Sequence, residues 1–519
     1  MATNERVTDP QFRANPDEHR DAVDRAEAAL LDRAMAPIVE VVVRAVGDGY
    51  GYEAASVDGR VRFRRRDVGA GWAFDADTLQ GVNPLADQAT DRFATLADER
   101  AQPFPDRSAN AYPFAYEQVA QLFDSAVAPD LIAIHTAAHN WEDEGGHRGE
   151  HGSIDVVQAR APFILAGAGV ATRGVVPESC RLVDVAPTVL ALLGVEPGPG
   201  VGLNGLRRTD AYLARQDGEA RTSMLDLRSG HPDHVIGFLF DGANANVLYD
   251  AAARGEAPNV ARLMAMGSSF GHGAMSSLPT VTLANHTAIV TGAYPGHHGI
   301  LNNAWWDRAR GEQVITNSPE TWAMSMATLT PGIESMHDVV HRAFPGAFTA
   351  SVNEPCDVGA DYSTFGVMRG GGTIDRPPPV AELPHTSQMF VRPVKEYRWS
   401  SLVDHTTVTQ FVDVWRRTAG NPRPRFTWVN FSLTDAAFHE GGPYSEIAAA
   451  SIRDTDARLG EVLREVEQSG VFDRTAFFLV ADHGMEETDP EVQGNWSTAL
   501  DESGVAYRDE AYGFIYVNP

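Results

Sequence analysis

Buried-strand runs and helical stripes alternate along this chain. Residues 21–35 place apolar side chains at helical intervals, and the β-branched run Ile38–Ala45 predicts a strand. Arg60–Arg66 begins as an alternating, hairpin-like stretch. Asp130–His135 and Pro162–Gly167 are short buried-strand patterns, and Asp184–Leu193 predicts a helix stopped by Gly194. Residues 206–231, with few apolar runs, read as a linker. The pattern then restarts with strand His234–Phe240, helix Asn259–Met266, and helix Thr282–Thr291 ended by Gly292. Strands Phe426–Leu433, Thr475–Ala481 and Phe514–Val517 follow. Residues 67–127 read as irregular. So does the stretch 300–425, with Gly370-Gly371-Gly372 and Pro377-Pro378-Pro379, which is taken as a cap insertion. Alternating strands and helices predict an α/β fold, with a mostly parallel central sheet covered on both faces.

Composition narrows the partners. The 519 residues carry 70 Asp and Glu against 42 Lys and Arg, a formal charge of -28. Such a surface repels nucleic acid backbones and anionic membranes, so the expected partner is a small molecule, with no nucleic acid polymer and no membrane. An anionic substrate then needs local positive charge, which bound metal ions supply. The two cysteines, Cys180 and Cys356, form no CxxC and no disulfide framework. No apolar signal stretch follows Met1 and no run of about 18 apolar residues exists, so the expected location is cytoplasmic.

The chemistry collects at strand ends. Asp241 follows His234–Phe240, Asp435 follows the strand starting at Phe426, and Asp482-His483-Gly484 follows Thr475–Ala481. In open α/β sheets that edge is where ligands bind. Asp435 and His439 are four residues apart and face one way on a helical turn. Thr280 and Thr282 stand at the mouth of a predicted helix, where free N–H groups suit phosphoryl oxygens. Hard carboxylates and imidazoles around a hydroxyl are what two-metal phosphoryl transfer requires.

These motifs carry a resemblance. Phe240-Asp241-Gly242, Pro279-Thr280-Val281-Thr282-Leu283-Ala284-Asn285-His286, Ile289-Val290-Thr291-Gly292-Ala293-Tyr294-Pro295, His298-Gly299-Ile300, Asp435 with His439, and Ala481-Asp482-His483-Gly484-Met485 resemble the type I phosphodiesterase/nucleotide pyrophosphatase family of the alkaline phosphatase superfamily. Leu283-Ala284 stands where the family often has Phe-Pro, which alters a pocket wall. The resemblance implies an alkaline-phosphatase-like three-layer sandwich with a smaller cap. It implies Thr282 as nucleophile and Asn285 as donor to a phosphoryl oxygen. Asp241, Thr282, Asp482 and His483 would hold one divalent ion, expected to be zinc. Asp435, His439 and a distant His-Gly histidine would hold a second. His286 and His298 are read as structural, and Trp305 and Trp306 either line a substrate mouth or pack the cap.

The family places that distant histidine toward its C-terminal end. Here Gly149-Glu150-His151-Gly152-Ser153, Ala161–Gly169, Val183–Thr188 and Leu192-Leu193-Gly194 resemble the family's back part. The expected order is therefore circularly permuted: residues 1–205 form the back of the core, 206–231 the linker, and 232–519 the front. A truncated tandem is the rival account. His151 becomes the missing ligand, with His139 and His147 as rivals. The implied reaction is hydrolysis of a phosphodiester or nucleotide pyrophosphate. Alternatives are C–P cleavage of the phosphonoacetate hydrolase kind, phosphomonoester hydrolysis, or a metal-binding scaffold without turnover.

Overall fold

In the computed structural model, residues 16–47, 50–69, 71–141, 147–370 and 396–518 are described. Two large sheets organise them. The first has eight strands in the order Tyr362–Ser363, Thr349–Val352, Phe426–Phe431, His234–Phe240, Thr475–Val480, Phe163–Gly167, Gly267–Phe270, Gly174–Val176. The first five run parallel. Phe163–Gly167 then enters antiparallel beside Thr475–Val480. The central strands are buried from end to end, which is why they read as continuous apolar runs. This is the α/β fold with a mostly parallel mixed sheet that the sequence predicts.

The second sheet was not anticipated. Its seven strands, all antiparallel, run Tyr507–Glu510, Phe514–Val517, Leu131–His135, Val39–Val46, Gly51–Ser56, Gly59–Asp67, Trp72–Gly81. Strand Gly59–Asp67 buries Val61, Phe63 and Arg65 on one face and exposes Arg62, Arg64 and Arg66 on the other. Glu53 accepts hydrogen bonds from Arg44, Arg60 and Arg62. Arg60 also reaches Glu27, tying helix Pro16–Leu30 onto the strands.

Three expectations change. Residues 67–127 are not irregular: they hold strand Trp72–Gly81 and helices Leu96–Ala101 and Ala115–Leu122. The stretch 300–425 is not only a cap. Thr349–Val352 pairs with Phe426–Phe431 in the main sheet, and helix Glu396–Arg416 packs on that strand. The Pro377-Pro378-Pro379 run lies outside the described residues. Residues 206–231 are not a loose linker either. Arg207–Ala211 pairs with Gly198–Val201, and buried Asp217 accepts from the Tyr294 N–H at 2.8 Å. Each sheet draws strands from both ends of the chain, so the division at 206–231 does not separate two bodies.

Candidate metal centre and threonine

Asp241 lies one residue past its strand, and Gly242 follows with φ +61. A Cβ at Gly242 would stand 2.5 Å from Asp435 Oδ1, so the tight turn needs glycine. The Gly242 N–H donates to Asp482 Oδ1 at 3.0 Å. Helix Leu433–Gly441 carries Asp435 and His439 on one face, with Asp435 Oδ1 3.4 Å from His439 Nε2. Asp482 Oδ2 lies 3.1 Å from His483 Nε2.

Three histidines are prepared in one way. His151 Nδ1 donates to the Thr280 carbonyl at 2.7 Å, His439 Nδ1 to Gly149 at 2.8 Å, and His483 Nδ1 to Gly484 at 2.8 Å. A carbonyl only accepts, so each Nδ1 carries a proton and Nε2 is the ring nitrogen each histidine turns toward the cluster. The ligand atoms of His151, Asp435 and His439 lie within 4.8 Å of one another, as do those of Asp241, Asp435 and His483. Asp435 belongs to both groups. The imidazole from the opening third of the chain thus stands beside the Asp435/His439 pair.

The donors fit divalent metal. Asp241 Oδ1, Asp435 Oδ1, Asp482 Oδ2 and His483 Nε2 are all buried without a hydrogen-bond partner. Burial, then the charges of Asp482 and Asp435, pushes the Asp241 carboxyl well above its usual range. Burial also acts to raise Asp482, but His483 and His286 outweigh it and hold Asp482 well below. Crowded buried carboxylates of this kind call for a cation between them. Mixed imidazole and carboxylate donors suit zinc among other transition ions.

Thr282 opens helix Thr282–Thr291. It is half-buried, whereas Leu283–Thr291 are fully buried. Val281 precedes it without a side-chain cap, so first-turn N–H groups stay open. Thr280 is committed elsewhere: its buried hydroxyl donates to the Ser153 carbonyl and accepts from the Gly152 N–H, both at 2.7 Å. That leaves Thr282 as the open hydroxyl of the pair.

Asn285 is a correction. Its Nδ2 donates to the carbonyls of Ser277, Pro279 and Val281 at 3.2, 3.0 and 3.1 Å. Its Oδ1 accepts from the Ser277 N–H at 2.7 Å. A fully buried amide used in this way shapes the loop before Thr282 and has no donor left for a phosphoryl oxygen.

His286 corrects the sequence reading in the other direction. Its Nε2 lies 3.4 Å from Asp482 Oδ2 and 3.7 Å from Asp241 Oδ2, while Nδ1 faces Glu354 at 2.9 Å. Burial opposes its protonation, yet Glu354 and Asp482 raise its pKa well above the ordinary value. Its position four residues after Thr282, on the same helix face, was the available signal. Glu354, just past strand Thr349–Val352, was hidden inside the supposed cap. His298 is structural, with Nε2 on the Ala284 carbonyl at 3.1 Å. Of the rivals to His151, His139 faces the Gly494 carbonyl at 2.7 Å, and His147 pairs with Glu150 at 2.9 Å beside His439. Trp305 is buried in the core, and Arg508 covers Trp306 at 3.8 Å.

A parallel α/β sheet with acids and imidazoles at its carboxyl edge, beside a threonine at a helix mouth, is the arrangement of metal-dependent phosphoester hydrolases. Residues 235–519 match the type I phosphodiesterase/nucleotide pyrophosphatase family, and the chain belongs to that family, within the alkaline phosphatase superfamily. It is 23% identical over 259 residues to mouse ectonucleotide pyrophosphatase/phosphodiesterase family member 3, covering 49% of this chain and 25% of that one. To the ectonucleotide pyrophosphatase/phosphodiesterase 1 of Saccharomyces cerevisiae it is 26% identical over 240 residues, covering 44% and 30%. The solved murine ectonucleotide pyrophosphatase/phosphodiesterase 5 aligns at TM-score 0.34 and 16% identity, covering 48% of this chain and 57% of that one. The chain thus spans under a third of the two curated relatives. Among the described residues no helix is long and apolar enough to cross a membrane.

Proposed function

We propose that this protein hydrolyses a small phosphodiester or nucleotide pyrophosphate through a phosphothreonine intermediate on Thr282. Asp241, Thr282, Asp482 and His483 would hold one ion, and Asp435, His439 and His151 the other, with zinc the metal the donors favour. The observation that carries the reading is the convergence of unpartnered buried acceptors from three strand ends on a histidine from the front of the chain.

Bound divalent ions supply charge neutralisation at the phosphoryl oxygens and lower the proton affinity of the threonine hydroxyl and of water. Thr282 Oγ attacks phosphorus in line. The P–O bond to the leaving group breaks as the Thr282–phosphorus bond forms. Open N–H groups at the start of helix Thr282–Thr291 face the non-bridging oxygens. Water then attacks the same phosphorus, the bond to Thr282 Oγ breaks, a phosphomonoester is released (a nucleoside monophosphate from a nucleotide pyrophosphate), and the hydroxyl is restored. Asn285 fixes the loop that presents Thr282, and Gly242 leaves room for Asp435 beside Asp241 while its N–H holds Asp482.

The segment order fits a circular permutation. His151 and strand Phe163–Gly167, from the front of the chain, complete the site and the sheet beside Thr475–Val480. The test is a substrate panel on zinc- and manganese-loaded protein. Bis-p-nitrophenyl phosphate should turn over faster than p-nitrophenyl phosphate, and phosphonoacetate should be inert. Preference for the monoester or for phosphonoacetate would replace this reading.

A further inference from the structure

Tyr512 adopts a backbone conformation that side chains seldom take, φ 49 and ψ 48. The corner around it is held on both sides. Asn302 Nδ2 donates to the Ala511 carbonyl at 2.5 Å. Gly513, at φ +72, packs so close that a Cβ would stand 2.1 Å from the Ala133 carbonyl oxygen. Ala133 belongs to strand Leu131–His135 of the antiparallel sheet, which pairs with Phe514–Val517 directly after the corner.

This corner delivers the phenol ring to one place. Tyr512 stacks on His151 with ring centroids 5.4 Å apart at 29°. His151 also stacks on His483 at 3.7 Å and 17°. The stacking requires glycine next door, since a Cβ at Gly152 would meet Tyr512 Cδ1 at 2.3 Å. Trp141 backs the ring edge-on at 5.7 Å.

We propose that Tyr512 is a positioning residue whose ring sets the plane of His151 and aims its Nε2 at the Asp435/His439 pair. The hydrogen bond from Nδ1 to Thr280 fixes the tautomer but leaves the imidazole free to swing about that axis. Two rings stacked on the imidazole remove the swing. A ligand carried on a loop gains most from such bracing, because its own backbone constrains it least. The strained backbone at Tyr512 then has a use: it brings an aromatic face where a relaxed turn would not.

This inference rests on reading His151 as a metal ligand, and the test separates the two. Zinc affinity is measured by competition with a chromophoric chelator, with ion stoichiometry per chain, for wild type and for Tyr512→Phe, Tyr512→Asn and His151→Ala. Asn tolerates positive φ, so Tyr512→Asn removes the ring while easing the backbone. It should weaken binding of one ion by about 10- to 100-fold, with the metal-free unfolding temperature equal to wild type or higher. Tyr512→Phe keeps the ring and should keep wild-type affinity. A Tyr512→Asn protein that binds both ions like wild type overturns the inference. So does one whose affinity loss comes with a matching loss of metal-free stability, or a Phe variant as weak as the Asn variant. If His151→Ala leaves both ions bound normally, the ligand reading falls and this inference with it. If only His151→Ala weakens binding, the ligand reading stands and Tyr512 is excluded.

Discussion

The two sheets meet at one site and prepare it differently. The mostly parallel sheet delivers Asp241 and Asp482 from strand ends held in register, and Asp435 from the first turn of the helix that follows the neighbouring strand. His151 instead follows the two-residue strand Gly149–Glu150, paired with Glu486–Glu487, and Tyr512 comes from a corner of the antiparallel sheet; each needs bracing from elsewhere. The lesson is that reacting and charge-bearing groups sit on the rigid edge, while the group that closes the second cluster is assembled from both ends of the chain. Substitutions on the first side should therefore act on chemistry, and those on the second on metal occupancy or stability.

The largest effect tests the first half of that contrast. Thr282→Ala should lower kcat on the diester by on the order of 10⁴-fold or more while two ions stay bound. Retained turnover in a protein of full metal content would remove Thr282 from the mechanism. His151→Ala probes the other side. It should weaken the Asp435/His439 ion by roughly 100-fold or more and restore activity only at high added zinc. If activity instead falls with occupancy intact, the division of labour between the sheets is wrong.

Asn285→Ala should be milder. It removes four hydrogen bonds to the loop from Ser277 to Val281 and leaves every proposed ligand in place. We expect kcat down by about 10-fold, with unchanged metal affinity, because Thr282 is less well aimed. A loss as large as that of Thr282→Ala would mean the amide touches substrate after all. Glu53→Gln sits in the antiparallel sheet, away from the chemistry. Neutralising it leaves Arg44, Arg60 and Arg62 partly uncompensated and should cost about 1–3 kcal/mol by denaturant unfolding, with kcat/KM and zinc affinity unchanged.

The same contrast governs what could be read from the sequence. Asp241, Asp435 and Asp482 were legible because a fully buried strand leaves a continuous apolar run and each acid ends one. Thr282 was legible through its motif, although only the structure shows why Thr280 is not its equal: that hydroxyl is tied to Ser153 and Gly152. Of the antiparallel sheet, Val39–Val46, Gly59–Asp67, Leu131–His135 and Phe514–Val517 were legible as single strands, but not their pairing across both ends of the chain. Trp72–Gly81 has no buried face and so no alternation to detect. Glu354 could not be placed because the strand before it was taken for cap. Tyr512 carried no signal at all, since backbone strain and a stacked partner hundreds of residues away are tertiary facts. Asn285 was placed on the right helix and given the wrong task, because a motif fixes position and not which atoms the amide must satisfy.

The smallest effect is in pH. Glu40 and Asp509, both in the antiparallel sheet, are pushed up to about 7, in each case chiefly by burial. Glu99 and Asp404, on helices Leu96–Ala101 and Glu396–Arg416, are likewise pushed up to about 7 by burial. A carboxyl whose pKa is raised on folding binds more proton folded than unfolded between its two pKa values. Stability then falls as pH rises from about 4 through 7 and recovers on acidification. Asp124 runs the opposite way: burial raises it, but His297 and Arg65 outweigh burial and hold it at about 2. Its contribution is lost only as pH drops below about 4 toward 2. The metal-free protein should therefore unfold at a higher temperature at pH 5.5 than at pH 8, by on the order of 1 kcal/mol for each raised group. Glu40→Gln should flatten part of that slope and leave zinc affinity alone. A stability that is level or rising from pH 5.5 to 8 would show that these carboxyls are ionised in the folded protein.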